Sequence, residues 1–321
     1  MASHKLNIQK IKTAAGAAKS KVVVILGPTG SGKTALGVKL ASEFNGEIIS
    51  ADSRQVYRGM DIGTGKDLAE YKIGRKQIPY HLIDIISPNT KFNLARYQKL
   101  AFKAIADILH RGRLPIIVGG TGLYLQAVID NYQLSAVKPD TKQRDSLELL
   151  GAPVLFEKLA ILKPEFAAKL NNSDKNNARR LARYLEIAVL KKNPDTGKED
   201  SPFAFLVLGI DVDDEAMRVK IARRLDKRLQ AEGMVQEVER LHGEGVSFKR
   251  LISFGLEYKF ISHFLQGKLN AIEMRDKLLT AIYRFAKKQK TWFRRWEKQG
   301  RQIEWVQDEK AAAKKIIKFL K

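Results

Sequence analysis

The stretch that decides the fold reads Lys21-Val22-Val23-Val24-Ile25-Leu26-Gly27-Pro28-Thr29-Gly30-Ser31-Gly32-Lys33-Thr34. Its β-branched first part predicts a strand over Lys21–Leu26, and a helix is expected from about Lys33 to Phe44. The turn between them matches G-x-x-x-x-G-K-[ST] in full, in the strand-to-helix context that this motif requires. Glycines let backbone N–H groups turn towards phosphate oxygens, and the helix N-terminus adds positive potential. We therefore predict a diphosphate or triphosphate site in which Lys33 supplies charge and the Thr34 hydroxyl can hold Mg²⁺.

The segments around this turn alternate between short apolar runs and helical stretches. Apolar residues follow helical spacing over Phe92–His110. Further strands are predicted at Glu47–Asp52, His81–Ile86, Leu114–Val118 and Phe203–Val212. Alternation of this kind is typical of a mostly parallel sheet with helices on both faces. The predicted fold class is therefore α/β and P-loop NTPase-like.

A change in spacing interrupts this alternation after residue 137. The apolar residues then follow helical spacing only, until a polar stretch at 193–202 that is typical of a loop. Helices are predicted again from Asp213 onward. The predicted organisation is a basic N-terminal arm at 1–20, a catalytic core at 21–137 and 203–321 with basic C-terminal helices, and a helical insertion at 138–202.

Charge is the unusual feature of the composition. The 321 residues include 58 Lys and Arg against 35 Asp and Glu, which gives a formal net charge of +23. This surplus indicates a polyanionic partner, either nucleic acid or an anionic membrane surface, although it could also serve solubility alone. The absence of cysteine excludes a disulfide framework, a thiolate metal site and a cysteine nucleophile. Because no apolar run could span a bilayer and no secretory signal is evident, we expect a cytoplasmic protein that does not use a membrane.

Polar residues follow two of the predicted strands at the point where each strand ends. Asp52-Ser53-Arg54-Gln55 follows one strand, and Gly119-Gly120-Thr121 follows another. In a doubly wound sheet, the carboxyl ends of the strands border the ligand crevice. Asp52 could therefore act as a general base towards a nucleophile that approaches a bound diphosphate, with Thr121 orienting either group. The alternatives are that Asp52 caps a turn and that Thr121 caps the helix starting at Gly122.

Two predicted helices carry a basic face. On a helical wheel, one face groups Arg179, Arg180 and Arg183, opposite an apolar face with Leu181, Ala182, Leu185, Ala188 and Val189. The segment 275–301 contains ten Lys or Arg and two acids. Its basic face comprises Lys277, Arg284, Lys287, Lys288, Arg294, Arg295 and Lys298. Such faces are most often simply solvated, and the sequence pattern by itself leaves that alternative open.

Four further segments carry a resemblance to a known family. They are Ile49–Thr64, Val118–Tyr124, Arg179–Glu186 and Arg284–Arg294. With the phosphate motif and in this order, they resemble the tRNA dimethylallyltransferase (isopentenyltransferase) family, bacterial type, over nearly the whole chain. The segment Ile252–Lys259 departs from the usual Ile-Gly-Tyr-(Lys/Arg)-Glu form of that family.

The resemblance implies transfer of a dimethylallyl group from dimethylallyl diphosphate to N6 of the adenosine just 3′ of a tRNA anticodon, with release of diphosphate. It implies Asp52 as the group that accepts the N6 proton, Thr121 as its partner, and Mg²⁺ bound at Thr34. The implied diphosphate ligands are Gly27, Pro28, Thr29, Gly30, Ser31, Gly32, Lys33, Thr34 and Arg224. The implied contacts to the tRNA anticodon stem-loop are Asp52, Ser53, Arg54, Gln55, Thr121, Arg144, Arg179, Arg180, Leu181, Ala182, Arg183, Lys287 and Lys288. A monomer is expected.

Three other functions fit parts of the sequence. A P-loop kinase for a small molecule would explain the phosphate motif but not the basic surplus. An adenylate isopentenyltransferase acting on free AMP or ATP would need no extended basic helix. A non-catalytic RNA-binding protein with a relic phosphate loop would have no use for Lys33, Thr34, Asp52 and Thr121 together.

Overall fold

The glycine-rich motif follows an inner strand of a six-stranded sheet in which every pairing is parallel. The computed structural model describes residues 19–321 except 136, 138–139, 191, 193 and 195–196. The strands of this sheet are Ser20–Leu26 (β1), Gly46–Ser50 (β2), Tyr80–His81 (β5), Leu114–Gly119 (β6), Phe203–Ile210 (β9) and Glu304–Val306 (β10). Their order is β10-β9-β1-β6-β2-β5. The predicted α/β class with a parallel sheet is therefore confirmed.

Helices cover both faces of the sheet because the side chains of β1 alternate between two apolar clusters. Val23 and Ile25 belong to the cluster formed with α1 (Lys33–Glu43) and α14 (Glu309–Leu320). Val22, Val24 and Leu26 belong to the opposite cluster. That cluster also contains residues of α2 (Leu94–His110), α3 (Gly122–Ile129) and the C-terminal part of α13 (Ala271–Lys298). All five side chains of β1 named here are fully buried, as expected for a parallel strand covered on both faces.

A third apolar cluster lies among the helices that follow the sheet. Besides α13, these helices are α9 (Asp214–Gln230), α10 (Met234–Gly243), α11 (Phe248–Ser253) and α12 (Leu256–Leu265). The remaining elements of the same unit are a 3-10 helix at Leu68–Tyr71 and a small antiparallel hairpin of Lys72–Ile73 (β3) with Lys76–Gln77 (β4). The unit comprises the chain up to Ile129 and from Ser201 to Lys321. None of the helices in the described ranges is both long and apolar enough to cross a membrane.

The second unit, Asp130–Asp200, is mostly helical. Its helices are Thr141–Glu148 (α4), Gly151–Leu162 (α5), Pro164–Ala168 (α6), Asn172–Lys175 (α7) and Ala178–Val189 (α8). It also contains a two-stranded antiparallel sheet of Tyr132–Gln133 (β7) with Gly197–Lys198 (β8), which the sequence pattern does not predict. Leu181, Ala182, Leu185 and Ala188 of α8 are buried as the wheel predicts. The placement of Val189 on the buried face is wrong, since 58% of its surface is exposed at the last turn of the helix.

Two strand predictions need correction. The strand expected at His81–Ile86 ends at His81, because Leu82 and Asp84 have positive φ angles of 63° and 55°, which a strand cannot contain. The region after Asp213, expected to be helical, includes β10, which pairs with β9 at the edge of the sheet. The predicted N-terminal arm lies outside the described residues up to position 18, and Ser20 already belongs to β1. The predicted start of the insertion, at position 138, also lies outside the described residues.

Candidate active site

Residues 27–34 connect β1 to α1 in a loop that requires its glycines. Gly30 and Gly32 both have a φ angle of 83°, in the left-handed region that other residues rarely adopt. A Cβ at Gly27 would lie 2.6 Å from Ser31 Oγ, so that position has no room for a side chain. The backbone N–H groups of the first turn of α1 are not bonded within the helix and are available to an anion.

A pocket opens above this loop. Five of the eight motif residues line it: Thr29, Gly30, Gly32, Lys33 and Thr34. Gly27, Pro28 and Ser31 belong to the same loop but are not among the residues that line the pocket, and their role as diphosphate ligands stays a prediction. Ser31 contributes by closing a turn, because its backbone N–H donates to the carbonyl of Pro28 at 3.2 Å.

Lys33 lines this pocket together with Asp52 and Arg224. Burial lowers the pKa of its ammonium from 10.5 to about 8; the negative charge of Asp52 opposes this shift, and the positive charge of Arg224 adds to it. The free protein therefore holds a cation that is poorly compensated. A polyanion in the pocket would stabilise that charge directly.

Arg224, the predicted diphosphate arginine, lines the same pocket from α9. Burial and then the neighbouring Arg228 lower the pKa of its guanidinium. Arg228 donates to Asp67 at 3.1 Å, whereas Arg224 Nη2 lies 3.7 Å from the same carboxylate. The Arg224 guanidinium passes directly over Gly65, where a Cβ would lie 1.9 Å from Nη2. Arg224 is therefore held against a glycine loop, while its charge is only partly compensated.

Asp52 lies two residues beyond the end of β2 and lines the pocket together with Lys33. One carboxylate oxygen, Oδ1, accepts a hydrogen bond from the Arg54 N–H at 2.9 Å. The turn-capping alternative therefore accounts for Oδ1 but not for Oδ2. No donor within the described part of the chain bonds the other oxygen, Oδ2. Asp52 therefore combines a fixed orientation with a free proton-accepting atom.

Thr121 fixes the segment that carries Asp52. Its Oγ1 accepts a hydrogen bond from the Ser53 backbone N–H at 3.1 Å, and its own N–H donates to the carbonyl of Ala51 at 3.1 Å. A Cβ at Gly119 would lie 2.3 Å from that same carbonyl, so the close approach of the two strand ends needs glycine. The structure thus brings Asp52 and Thr121 together, and Thr121 acts on the backbone beside the acid.

The other residues predicted beside Asp52 are mostly engaged within the protein. Arg54 Nη1 donates to Glu257 at 2.7 Å, and both side chains line the pocket. Gln55 is buried; its Oε1 accepts from the Ser50 hydroxyl at 2.8 Å and its Nε2 donates to the carbonyl of Gly65 at 3.2 Å. Glu257, the partner of Arg54, lies in the segment Ile252–Lys259 that departs from the family form.

Two buried polar residues of the site are absent from the sequence predictions. Gln289 of α13 accepts from the Thr29 N–H at 2.9 Å and donates to the carbonyl of Gly120 at 2.8 Å. Glu237 of α10 accepts from three consecutive backbone N–H groups of residues 61–63 and from the hydroxyl of Tyr258. Both are polar residues on an otherwise buried helix face, which is a signal that sequence reasoning could have used.

The predicted RNA-contacting residues of the second unit behave differently from one another. Arg144 and Arg183 both pair with the buried carboxylate of Glu186. Arg179 and Arg180 are exposed, and Arg180 pairs with Asp174 at 2.6 Å. The inclusion of Leu181 and Ala182 among the RNA contacts is wrong for their side chains, because both have 0% exposure in the apolar core of the unit.

The basic face of α13 is present as the wheel predicts. Its exposed cations are Lys277, Arg284, Lys287, Lys288, Arg294, Arg295 and Lys298. Leu278, Ile282, Phe293 and Trp296 are buried on the opposite side. A groove beside α13 is lined by Lys259, Phe260, Lys277, Arg284, Phe285 and Lys288, among others. The Arg54 guanidinium lies 5.8 Å from the centre of the Phe285 ring, so this groove and the phosphate pocket share a wall.

A P-loop α/β enzyme with a carboxylate facing its phosphate cradle is the class that this fold and site define. Residues 55–296 match the IPP transferase family, and residues 20–83 match the isopentenyl transferase family. The chain is 46% identical over 305 residues to tRNA dimethylallyltransferase 1 of Syntrophus aciditrophicus, covering 92% of this chain and 97% of the relative. It is 48% identical over 286 residues to tRNA dimethylallyltransferase 2 of Syntrophotalea carbinolica, covering 89% and 93%.

Two solved structures of similar enzymes support the same assignment. The full-length tRNA isopentenylpyrophosphate transferase from Bacillus halodurans is 36% identical with a TM-score of 0.65, covering 94% of this chain and 96% of that one. A eukaryotic dimethylallyltransferase acting on tRNA is 29% identical with a TM-score of 0.70, covering 85% and 69%. The chain belongs to the IPP transferase family of tRNA-modifying enzymes.

Proposed function

We propose that this enzyme transfers a dimethylallyl group from dimethylallyl diphosphate to N6 of the adenosine 3′-adjacent to the anticodon of tRNA, and releases diphosphate. The observation that carries the proposal is the position of Asp52 in the same pocket as Lys33, with Oδ2 free of protein donors. A phosphate cradle alone would suit many reactions. A cradle that faces a free carboxylate suits attack by a nucleophile that must lose a proton.

The reaction breaks the bond between the allylic carbon and the diphosphate oxygen, and forms a bond between that carbon and N6. Negative charge builds on the leaving diphosphate, where the loop N–H groups, Lys33 and Arg224 are placed to stabilise it. The adenine amino group loses a proton as the C–N bond forms, and Asp52 Oδ2 accepts it. Thr121 and the Ser53 N–H hold the acid in position for that step.

Mg²⁺ fits this site as an ion held largely by the substrate. Among the residues that the structure describes, no group of three or more His, Cys, Asp or Glu side chains could hold a metal. Mg²⁺ commonly binds through substrate phosphates, water and few protein ligands, and the Thr34 hydroxyl lines the pocket beside Lys33. Thr34 would then hold the ion against the diphosphate, where it would neutralise part of the leaving-group charge.

The groove beside α13 is the surface that suits the RNA. It combines cationic side chains with the faces of Phe260 and Phe285, the pairing that binds unpaired nucleotides. Extruding a base from its stack costs a few kcal/mol, which phosphate contacts must offset. Because Phe285 borders both the groove and Arg54, a base that leaves the stack there would have a short path to Asp52. Arg179 and Arg180 of the second unit supply further exposed cations.

The decisive experiment is mass analysis of tRNA nucleosides after incubation with dimethylallyl diphosphate and Mg²⁺. We expect a dimethylallyl mass increment on one adenosine next to the anticodon. Phosphate transfer from ATP to an acceptor without prenyl transfer would instead support a small-molecule kinase, and prenylation of free AMP with unmodified tRNA would support an adenylate isopentenyltransferase. We further propose a monomer that acts in the cytoplasm, which size measurement and fractionation would test.

A further inference from the structure

Gln289 links the two backbone segments that carry the chemistry of the site. Its side chain leaves the buried face of α13 and reaches the phosphate loop, where Oε1 accepts from the Thr29 N–H at 2.9 Å. On its other side, Nε2 donates at 2.8 Å to the carbonyl of Gly120, the residue before Thr121. Only 7% of Gln289 is exposed, so water cannot easily replace either hydrogen bond.

The surroundings of Gln289 are shaped to its amide. A Cβ at Gly120 would lie 2.3 Å from Gln289 Nε2 and 3.2 Å from the carbonyl of Gly27, so a glycine is needed for the three segments to meet. An amide presents an acceptor, Oε1, to an N–H and a donor, Nε2, to a C=O at the same time, from two different atoms. The fit is therefore chemical as well as steric.

We infer that Gln289 is a positioning residue that sets the distance between the diphosphate cradle and the acid-bearing segment. The chain of contacts runs from Thr29 in the cradle to Gln289, then to Gly120, and through Thr121 to the Ser53 N–H beside Asp52. This inference rests on the proposed prenyl transfer, since that reaction needs the allylic carbon and the N6 proton acceptor at a fixed separation.

Gln289 also connects the site to the basic face of α13. Lys287 and Lys288, which precede it in the helix, are exposed on the side that we assign to RNA. Because one rigid helix carries both features, the RNA surface and the cradle are held in a common frame. Gln289 itself touches no predicted substrate atom, which separates its role from that of a catalytic residue.

The test compares three variants of the full-length enzyme. Gln289→Met keeps the size and removes both hydrogen bonds. Gln289→Glu keeps the acceptor for Thr29, but it can donate to Gly120 only when its carboxyl group is protonated. Gln299→Met is the matched control, because Gln299 is exposed at the C-terminal end of the same helix. For each we would measure kcat and KM for prenylation of tRNA from pH 5.5 to 8.5, the Kd for tRNA, the Kd for inorganic pyrophosphate and the thermal unfolding midpoint.

We expect Gln289→Met to lower kcat by about 10- to 100-fold, since a displacement of about 1 Å between reacting groups has that effect. Its Kd for tRNA should stay within about threefold of the wild type, because Gln289 is buried and does not belong to the exposed basic face of α13. The kcat of Gln289→Glu, as a ratio to that of the wild type, should rise as the pH falls. Burial raises the pKa of the introduced carboxyl, and protonation restores the donor to the carbonyl of Gly120. Gln299→Met should behave as the wild type.

Unchanged kcat in Gln289→Met would overturn the inference. So would a loss of kcat in Gln289→Glu whose ratio to the wild type does not change with pH, because that result would indicate general disturbance of packing. If Gln289→Met does not fold, the pH dependence of Gln289→Glu alone decides. If the wild type does not prenylate tRNA, the proposed function fails, and the positioning role is still tested by pyrophosphate binding, which should weaken in Gln289→Met and recover in Gln289→Glu at low pH.

Discussion

Two carboxylates near opposite ends of β2 differ in how fully they are hydrogen-bonded. Glu47 lies near the start of β2 and is almost fully buried; its carboxylate takes hydrogen bonds from Arg111 at 2.7 and 3.0 Å, from Arg113 at 3.1 Å, and pairs with His81 at 2.6 Å. Asp52 lies beyond the other end of β2, with one oxygen tied to a turn and the other free of protein donors in the described part of the chain.

The two ends of β2 therefore differ in what they contribute: Glu47 stabilises the fold, and Asp52 has an oxygen left over for the proposed reaction. At the amino end of β2, both oxygens of Glu47 are engaged, so its charge holds β5 and the connection between α2 and β6 against β2. At the carboxyl end, Asp52 is oriented by the hydrogen bond to Oδ1, and no donor in the described part of the chain bonds Oδ2, the atom that accepts the proton in the reaction we propose. A carboxylate that is saturated with donors has little tendency to accept one. The contrast can be tested by changing one end at a time.

The sharpest contrast should come from Asp52→Asn. The amide keeps the acceptor for the Arg54 N–H but cannot take a proton, so we expect turnover to fall by about 10²- to 10⁴-fold. The Kd for tRNA and the free energy of unfolding should change little. Single-turnover prenylation and filter binding would measure the two effects. An equal loss of tRNA binding would show that Asp52 is structural, and the comparison with Glu47 would collapse.

Glu47→Gln should lower stability and leave turnover almost unchanged. It removes the charge that organises Arg111, Arg113 and His81, and we expect the free energy of unfolding to fall by about 1–3 kcal/mol, the range for hydrogen bonds to charged groups. Turnover below the unfolding temperature should stay within about twofold of the wild type, as expected for a change remote from the site. Urea unfolding at pH 7 gives the first quantity.

The pH dependence of Glu47 sharpens the same test. Burial by itself would raise the pKa of this carboxyl, but hydrogen bonds from Arg111 and His81 outweigh it and lower the pKa to about 2 from 4.5. A lowered pKa contributes stability that is present above pH 4.5 and is lost as the pH falls towards 2. The difference in unfolding free energy between wild type and Glu47→Gln should therefore shrink over that interval. A constant difference would contradict the assignment.

The basic face of α13 should matter for RNA alone. We expect the double change Lys287→Glu with Lys288→Glu to weaken tRNA binding by about 10- to 100-fold at low salt and to reduce the salt dependence of binding, because fewer phosphates are neutralised. The Kd for pyrophosphate should not change. The matched control is Lys314→Glu with Lys318→Glu on α14, which alters the net charge equally at two exposed positions. If both pairs weaken binding equally, the RNA footprint does not depend on α13.

The smallest effect concerns Lys33. Its pKa of about 8 in the free protein means that part of its charge is lost above that pH, and an anion favours the charged form. Affinity for dimethylallyl diphosphate should therefore fall as the pH rises, by about tenfold between pH 7 and pH 9. Calorimetry in buffers of different ionisation enthalpy would detect the accompanying proton uptake. Lys33→Arg, which stays charged, should remove this dependence; a parallel fall in that variant would assign the effect to the ligand.

Sequence patterns correctly predict the parts of this molecule that depend on neighbouring residues alone. The phosphate loop follows from glycines at positions that need positive φ angles, and β1 follows from a continuous apolar run. The placement of Asp52 and Thr121 at neighbouring strand ends follows from the rule for parallel sheets. The early end of β5 does not, because an apolar run gives no sign of the positive φ angles at Leu82 and Asp84; Asp84 is bonded there to Gln55 and Lys66, which are distant in the sequence.

The contacts that could not be predicted from the sequence join residues that are far apart in the chain. Gln289 is 260 residues from Thr29, whose backbone N–H donates to Gln289 Oε1, and no spacing rule connects the two residues. The ion pair of Arg144 with Glu186, 42 residues away, is likewise not given by any spacing rule. In each case a polar residue interrupts a buried helix face, which marks the position but does not reveal the partner.

The insertion of the second unit between β6 and β9 has a consequence for biosynthesis. Leu26 pairs with Gly209 across the sheet, so β1 has no neighbour on that side until the ribosome has made roughly 180 further residues, which takes about 10–40 s at the usual rate of translation. During that interval a nascent hydrophobic edge, which ends in the glycine loop, is open to wrong partners. Chaperone demand should therefore peak while residues 130–200 are emerging.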